Sequence, residues 1–324
     1  MTMRPPVRII DARTGEIRWN WDSVEDAHIS HLYDKGEVDL RRLSKRKAAE
    51  VVEYMAAHES INKAANACIT LTDEEIELLT NYAELSGDEA SYLRVLCFML
   101  KEGLYDNCVL WLPMTRNLRA GINDTDTEVY DRSPFGNHGT IHGAVWQTLP
   151  SGKSALSFDG VDDYVEVPDS PSLNIDYGSF EIWIKFNELN KDVEQDFFSK
   201  QGGSLSGWGF YNPKNSNKLG FILVTTEGYT AHYFLTATTG VWYHIVGTYD
   251  GTRKRVYVNG EKKLDTEVSG KIVNNPDIHV HIGSYPGGSY PVNGLIDEVR
   301  IYSRALSEDE IRRLYELTRV FYGV

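Results

Sequence analysis

Two hydrophobic periods divide this chain. Up to about residue 105 apolar side chains recur mostly at helical spacing; beyond it they alternate with polar ones. The start is an exception. Within the run Val7–Trp21 two short strand-like stretches flank Arg13-Thr-Gly-Glu16 and predict a hairpin turned at Gly15. Ser44 caps a predicted helix to about His58, with Ala48, Val51, Val52 and Met55 on one face. Thr72-Asp-Glu-Glu75 is a capping box and opens a second helix, with Ile76, Leu79 and Tyr82 as its stripe and Gly87 at its end. A third helix runs from Ser91 to Lys101 through Leu93, Leu96, Cys97 and Leu100, closed by Gly103. Val95, Phe98 and Met99 make it apolar almost all round. Such a helix needs cover on every side, which predicts burial against a second copy or an assembly protein. The alternative is cover by the hairpin, through Ile9, Ile17 and Trp19.

In the second half, Val165–Val167, Phe180–Phe186, Leu219–Val224, Tyr243–Tyr249, Arg255–Val258 and Glu298–Tyr302 read as strands. Asp159-Gly160, Asp250-Gly251, Asn259-Gly260 and Pro286-Gly-Gly288 separate them as turns. Short strands without intervening helices predict an antiparallel sandwich or jelly roll. Ser307 caps a final short helix to about Tyr315. The fold class is therefore α+β and multidomain. Residues 1–105 form a mainly helical docking or assembly domain with a short hairpin. Residues 106–324 form an all-β sandwich, with the boundary between Gly103 and Asn107.

Composition narrows the partners. With 41% hydrophobic and 25% charged residues the chain is an ordinary globular one. A net charge of −14 opposes docking on nucleic acid or anionic lipid. The run Arg41-Arg-Leu-Ser-Lys-Arg-Lys47 is a solvated helix entry, since residues 1–105 hold 13 basic and 19 acidic side chains. No apolar run approaches the roughly 18 residues of a membrane span, and Met1–Pro6 lacks the apolar stretch of a secretory signal. The three cysteines, Cys68, Cys97 and Cys108, are too few and wrongly spaced for a disulfide framework or a zinc knuckle. The expectation is synthesis in a reducing cytoplasm.

Seven phrases in order carry a resemblance: Val109-Leu-Trp-Leu-Pro113; Tyr130 to Gly139; Ala155 to Pro168, containing Phe158-Asp-Gly-Val-Asp-Asp163; Ser179 to Lys185; Trp242 to Gly251; Val256 to Gly260; and Gly294 to Leu306. Over residues 107–316 the chain resembles a laminin-G-like domain of the concanavalin A-like lectin/glucanase superfamily. The resemblance implies a jelly roll. It fixes no ligand, because this fold hosts lectins, adhesion modules, enzymes and structural sandwiches. Residues 1–105 resemble no family.

Candidate chemistry follows from both readings. Asp159, Asp162 and Asp163 put three carboxylates on one corner, and Gly160 offers its carbonyl. Ca2+ takes roughly six to eight such oxygens, and Asx-turn chemistry is the competing explanation. The resemblance adds Asp297 as a rim ligand. For sugar binding, Trp208, Tyr211 and Tyr229 lie in or beyond a Gly-rich stretch, and Tyr285 and Tyr290 flank Pro286-Gly-Gly-Ser289. Aromatic faces with loop polar groups stack and orient a sugar ring. Trp183 and Trp242 read as core. His279 and His281 share a strand face and lack only a third group to hold a metal; local hydrogen bonding is the plainer reading.

No catalytic residues are assigned. The hydrolase branch of the superfold carries a Glu-x-Asp-x-Glu strand, which this chain lacks. Asp192-Val-Glu-Gln-Asp196 reads as a polar connection, and Glu308-Asp-Glu310 opens a helix. The functional expectation is a non-enzymatic binding protein. A laminin-G-like head contacts glycans or surface proteins, and the N-terminal domain docks to a capsid, tail or other assembly protein as a homo-oligomer. Absence of a leader, joined to an adhesion-type sandwich, points to a phage or archaeal virus decoration, spike or fibre component on the virion surface. The alternatives are a lectin module of a carbohydrate-active enzyme and a cytoplasmic interaction scaffold.

Overall fold

The computed structural model describes residues 7–10, 17–20, 86–118, 123–202 and 205–324. The helix expected over 44–58 and the one expected from Thr72 lie outside them up to residue 85, and Gly87, expected to end the latter, opens the next helix. Strands β1 (Val7–Ile10) and β2 (Ile17–Asn20) pair antiparallel, with Ile10 opposite Ile17, as predicted. Helix α1 (Gly87–Lys101) contains the predicted third helix and starts earlier. Val95, Phe98 and Met99 are buried within the single chain. The apolar surplus that argued for a second copy therefore has no exposed counterpart in α1. Cys97 is disulfide-bonded, contrary to the expectation from the cysteine spacing, while Cys108 is a buried free thiol.

The chain divides into two compact units. The second comprises Ser86–Val95, Gly103–Leu118 and Ile122–Val324, so it takes in the first half of α1 as well as the sandwich. The change of period at Gly103–Asn107 does not register this. It marks where strands begin, not which side chains the strands need.

The sandwich has two antiparallel sheets. The first runs β13 (Gly228–Thr236), β12 (Lys218–Thr225), β11 (Gly207–Asn212), β10 (Gln195–Gln201), β17 (Val280–Ile282), β8 (Tyr164–Val167), β5 (Gly139–His142), β4 (Glu128–Val129). The second runs β16 (Glu261–Glu267), β15 (Arg253–Val258), β14 (Trp242–Tyr249), β9 (Gly178–Phe186), β18 (Asn293–Tyr302), β7 (Ser154–Asp159), β6 (Val145–Thr148), with β3 (Cys108–Leu112) also on β18. Alternation sends Phe180, Ile182, Ile184 and Phe186 of β9 into the core, against Phe210 and Phe221 of the facing sheet.

Of the side chains of β9 and β18 that face outward on the second sheet, Glu181, Trp183, Asp297 and Arg300 are nonetheless buried. Helix α2 (Glu308–Thr318), opened by a Ser307–Glu310 capping box, and the chain end lie over them. Trp183 stacks on Tyr322 at 4.0 Å and donates its indole N–H to Thr318 Oγ1 at 3.1 Å. Trp183 is thus buried as expected, but beneath α2 instead of between the sheets. The start of α1 seals the same unit. Asp88 accepts from the backbone N–H groups of Arg116, Asn117 and Ser154, and Tyr92 stacks on Trp111.

Between these covers lies a charged cluster. Lys153 Nζ meets Asp297 at 3.0 Å and Glu298 at 3.3 Å, and Arg300 bridges Glu298 and Glu181. Burial opposes ionisation of Glu298, but Arg300 and then Lys153 hold its carboxyl below the usual range. Burial pushes the Asp297 carboxyl well above it, against the pull of Lys153.

Candidate functional site

With the outer face of the second sheet occupied by helices, the outer face of the first carries the exposed chemistry. Backbone register lays it out. Ala231, Ile222, Gly209, Ser199, His281, Glu166 and Thr140 form one row of partners across six pairings. Tyr233, Gly220, Tyr211 and Asp196 form the next.

Two glycines shape the middle. A Cβ on Gly209 would stand 2.9 Å from Ser199 Cβ, 3.0 Å from Gln201 Oε1 and 3.8 Å from Asp196 Oδ2. These three side chains therefore pack closely over Gly209, where a larger residue would not fit. A Cβ on Gly220 would stand 2.3 Å from Tyr211 Cε1, so the Tyr211 ring lies across that glycine. Ser199 and Asp196 are buried side by side, with the serine hydroxyl turned to the carboxyl. Burial, with Glu194 adding to it, pushes the Asp196 carboxyl well above the carboxylate range, although Ser199 pulls the other way.

Rings stand at both ends. Tyr229 and Tyr233 are exposed on β13, with Tyr211 6.2 Å from Tyr233 and Lys218 Nζ 5.3 Å above the Tyr233 ring. At the other end His142 stacks on Tyr164 at 4.3 Å, and Tyr164 lies 6.0 Å from His281. Tyr285 and Tyr290 form a T-shaped pair at 5.8 Å in the loop after β17. The Tyr290 carbonyl accepts from Asp196 N at 2.9 Å, which places that loop beside the acid.

The expected ligand residues thus separate. Tyr211 and Tyr229 belong to the face, and Tyr285 and Tyr290 border it. Trp208 does not: it is 1% exposed and stacks on Phe180 at 3.9 Å in the core, because residue 208 falls on the inward phase of β11. Asp196 is a strand residue of β10, not part of a polar connection.

The expected metal residues also separate. Asp159, Asp162 and Asp163 place carboxylate oxygens within 4.8 Å of one another. Asp163 accepts from Asp159 N and Asp159 from Val161 N, both at 2.8 Å. The Gly160 carbonyl accepts from Lys191 Nζ at 3.1 Å and so turns to a cation already present. Asp297 is elsewhere: its oxygens take Lys153 Nζ and the Tyr322 hydroxyl at 2.7 Å, fully buried. The rim ligand implied by the resemblance is corrected to a member of the buried charge cluster. The three-carboxylate corner retains oxygens of the kind that hard cations select.

Ser199 lies opposite His281, but both imidazole nitrogens are engaged, Nδ1 with the His279 carbonyl and Nε2 with Glu166, each at 3.3 Å. No base faces the Ser199 hydroxyl from that ring, so the pair is not set up for nucleophilic attack.

A profile of the concanavalin A-like lectin/glucanases superfamily matches residues 159–312. Comparison with curated protein sequences gives no match. Among solved structures, the binding domain of Paraclostridial Mosquitocidal Protein 1 superposes with a TM-score of 0.53 at 17% identity, over 65% of this chain and 52% of that one. The ligand-binding domain of botulinum neurotoxin serotype D, solved with N-acetylneuraminic acid, superposes with a TM-score of 0.52 at 18% identity, over 66% and 52%. The superposed part spans about half of each of those chains, and at these identities the likeness is one of fold.

Proposed function

We propose that the sandwich, with a concanavalin A-like lectin/glucanase match at residues 159–312, is a non-enzymatic head that binds glycan on the outer face of its first sheet. One observation carries this reading: Tyr229 and Tyr233 stand exposed on the same face of β13, with Tyr211 6.2 Å from Tyr233 and Lys218 Nζ 5.3 Å above its ring. A sugar presents vicinal hydroxyls and an apolar ring face. Its ring face lies on tyrosine, and its hydroxyls meet the polar groups beside the rings. The fold shared with a toxin domain solved with N-acetylneuraminic acid supports a saccharide as the class of ligand. It does not select that sugar.

The test is binding of the full chain to a glycan array, with reducing-end release measured on every hit. Binding without release supports the reading. No hit on a broad array counts against it.

Two finer proposals belong here and rest on the sequence features. Ca2+ is held, with water, by Asp159, Asp162 and Asp163, and Asp297 plays no part. The head is displayed on a virus particle, with the residues before the sandwich docked to a shell or tail protein; mass spectra of purified particles test that placement.

A further inference from the structure

A sheet ends in strands whose outer backbone groups lack a ladder partner, and folded proteins shield such edges with charge, proline or shortness. The paths of the two sheets end in four strands. Two of them, β4 and β6, are only two and four residues long. A third, β16, carries Glu261, Lys262, Lys263, Asp265 and Glu267. The fourth, β13, has none of these shields. It runs nine residues, Gly228–Thr236, without an acid, a lysine, an arginine or a proline. Its pairing with β12 skips Phe234, a bulge, so the regular run is Gly228–Tyr233. Tyr229, Ala231 and Tyr233 are exposed along that run.

Alternate residues of an edge strand turn N–H and C=O away from the sheet, and an added antiparallel strand pairs them. The sequence of β13 is complementary to itself. A two-fold axis at Ala231 sets Tyr229 of each copy opposite Tyr233 of the other, because both lie two residues from the axis. Aromatic pairs across an antiparallel ladder are favourable. Ala231 then meets its own copy at the axis, where a small side chain permits close approach.

Charge points the same way. Lys218 stands exposed at the open end of the β12–β13 hairpin and Glu227 at its turn. Lys218 Nζ, 5.3 Å above the Tyr233 ring, already leans over the edge strand. Antiparallel docking brings the open end of one hairpin beside the turn of the other, so the unlike charges meet twice. A net charge of −14 makes two copies repel in general. An uncharged strand flanked by one charge of each sign is where that repulsion is locally relieved.

We propose that β13 is a self-association edge: two copies of this chain pair antiparallel through Gly228–Tyr233 about a two-fold axis at Ala231, which joins their first sheets into one. The pairing aligns Tyr229 and Tyr233 of both copies in one row on the outer face. It rests on the edge strand and not on the reading of that face as a sugar site.

The experiment is sedimentation velocity of the full chain from about 1 to about 100 µM, since a single strand pair buries little surface and gives a Kd on the order of 10 µM. Monomer is expected to give way to dimer across this range. Ala231→Lys puts two ammonium groups at the axis and should remain monomeric throughout; residue 231 is exposed, and circular dichroism verifies that the variant folds. Lys218→Glu and Glu227→Lys should each weaken association about fivefold, and the two together should restore it. Hydrogen exchange locates the contact: amides within Gly228–Tyr233 should slow at high concentration in the wild type and not in Ala231→Lys. A wild type that stays monomeric, a dimer that Ala231→Lys keeps, or a charge swap that restores nothing overturns the proposal.

Discussion

The Ser91 hydroxyl donates to the Glu298 carboxylate at 2.9 Å, joining α1 to the last strand of the sandwich across 207 residues. The opposite oxygen of Glu298 takes the Trp111 indole N–H at 3.1 Å, and Tyr92 stacks on that indole at 5.1 Å. A chain starting at residue 105 loses Ser91, Tyr92 and the Asp88 cap together and leaves a buried carboxylate under-bonded. Chains 86–324 and 105–324 compared by thermal melting should differ by about 2–4 kcal/mol in favour of the longer. Equal stability would show that the first half of α1 is an accessory of the sandwich.

Lys254 gives a pH signature. It is fully buried and donates to the Phe221 carbonyl at 3.1 Å and to Thr230, with burial pushing its ammonium down to about 7. The unfolded lysine holds its proton to about 10.5. Between these values the unfolded state binds more protons, so stability rises with pH; below about 7 the full cost of the buried charge is present. Lys254→Met should stabilise the protein by a few kcal/mol at pH 6, with the gain fading towards pH 10. A gain that does not change with pH would contradict the buried-charge account.

At the acidic corner, excess CaCl2 should raise the melting temperature relative to chelator. Asp162→Asn, which breaks no hydrogen bond that holds the turn, should abolish the difference, and a folded Asp297→Asn should retain it. Identical melts with calcium and with chelator would remove the ion from this corner and leave the Asx-turn bonds of Asp159 and Asp163 as its explanation.

Gly220 tests the sugar face without touching a polar group. Gly220→Ala must displace the Tyr211 ring, at a stability cost of about 1 kcal/mol. Affinity for a glycan selected on the array should fall by about tenfold. Unchanged affinity would place the ligand away from Tyr211.

The sandwich was legible because its strands alternate and its turns carry Asp-Gly and Asn-Gly. The working face was harder to see, for two local reasons. The register of β10 against β11 shifts between Asp196 and Phe198, so that Phe197 and Phe198 both enter the core. That bulge breaks the two-residue period and hides Asp196 and Ser199 as outward residues. Trp208 misled because a tryptophan among glycines resembles an exposed platform, whereas one position of strand phase turns it inward. The partner of His279 and His281 was invisible, since Glu166 meets both rings only through the pairing of β8 with β17. Asp297 lies in a phrase that supports the fold, but Lys153 and Tyr322, distant in sequence, decide what its carboxylate does.

The central claim is that sugar binds the outer face of the first sheet. The most direct measurement is glycan-array binding of the wild type beside Tyr229→Ala/Tyr233→Ala, two exposed side chains whose loss leaves the core intact. The account predicts wild-type signals that the double variant loses by tenfold or more at unchanged melting temperature. Wild-type signals that the double variant keeps in full would contradict it.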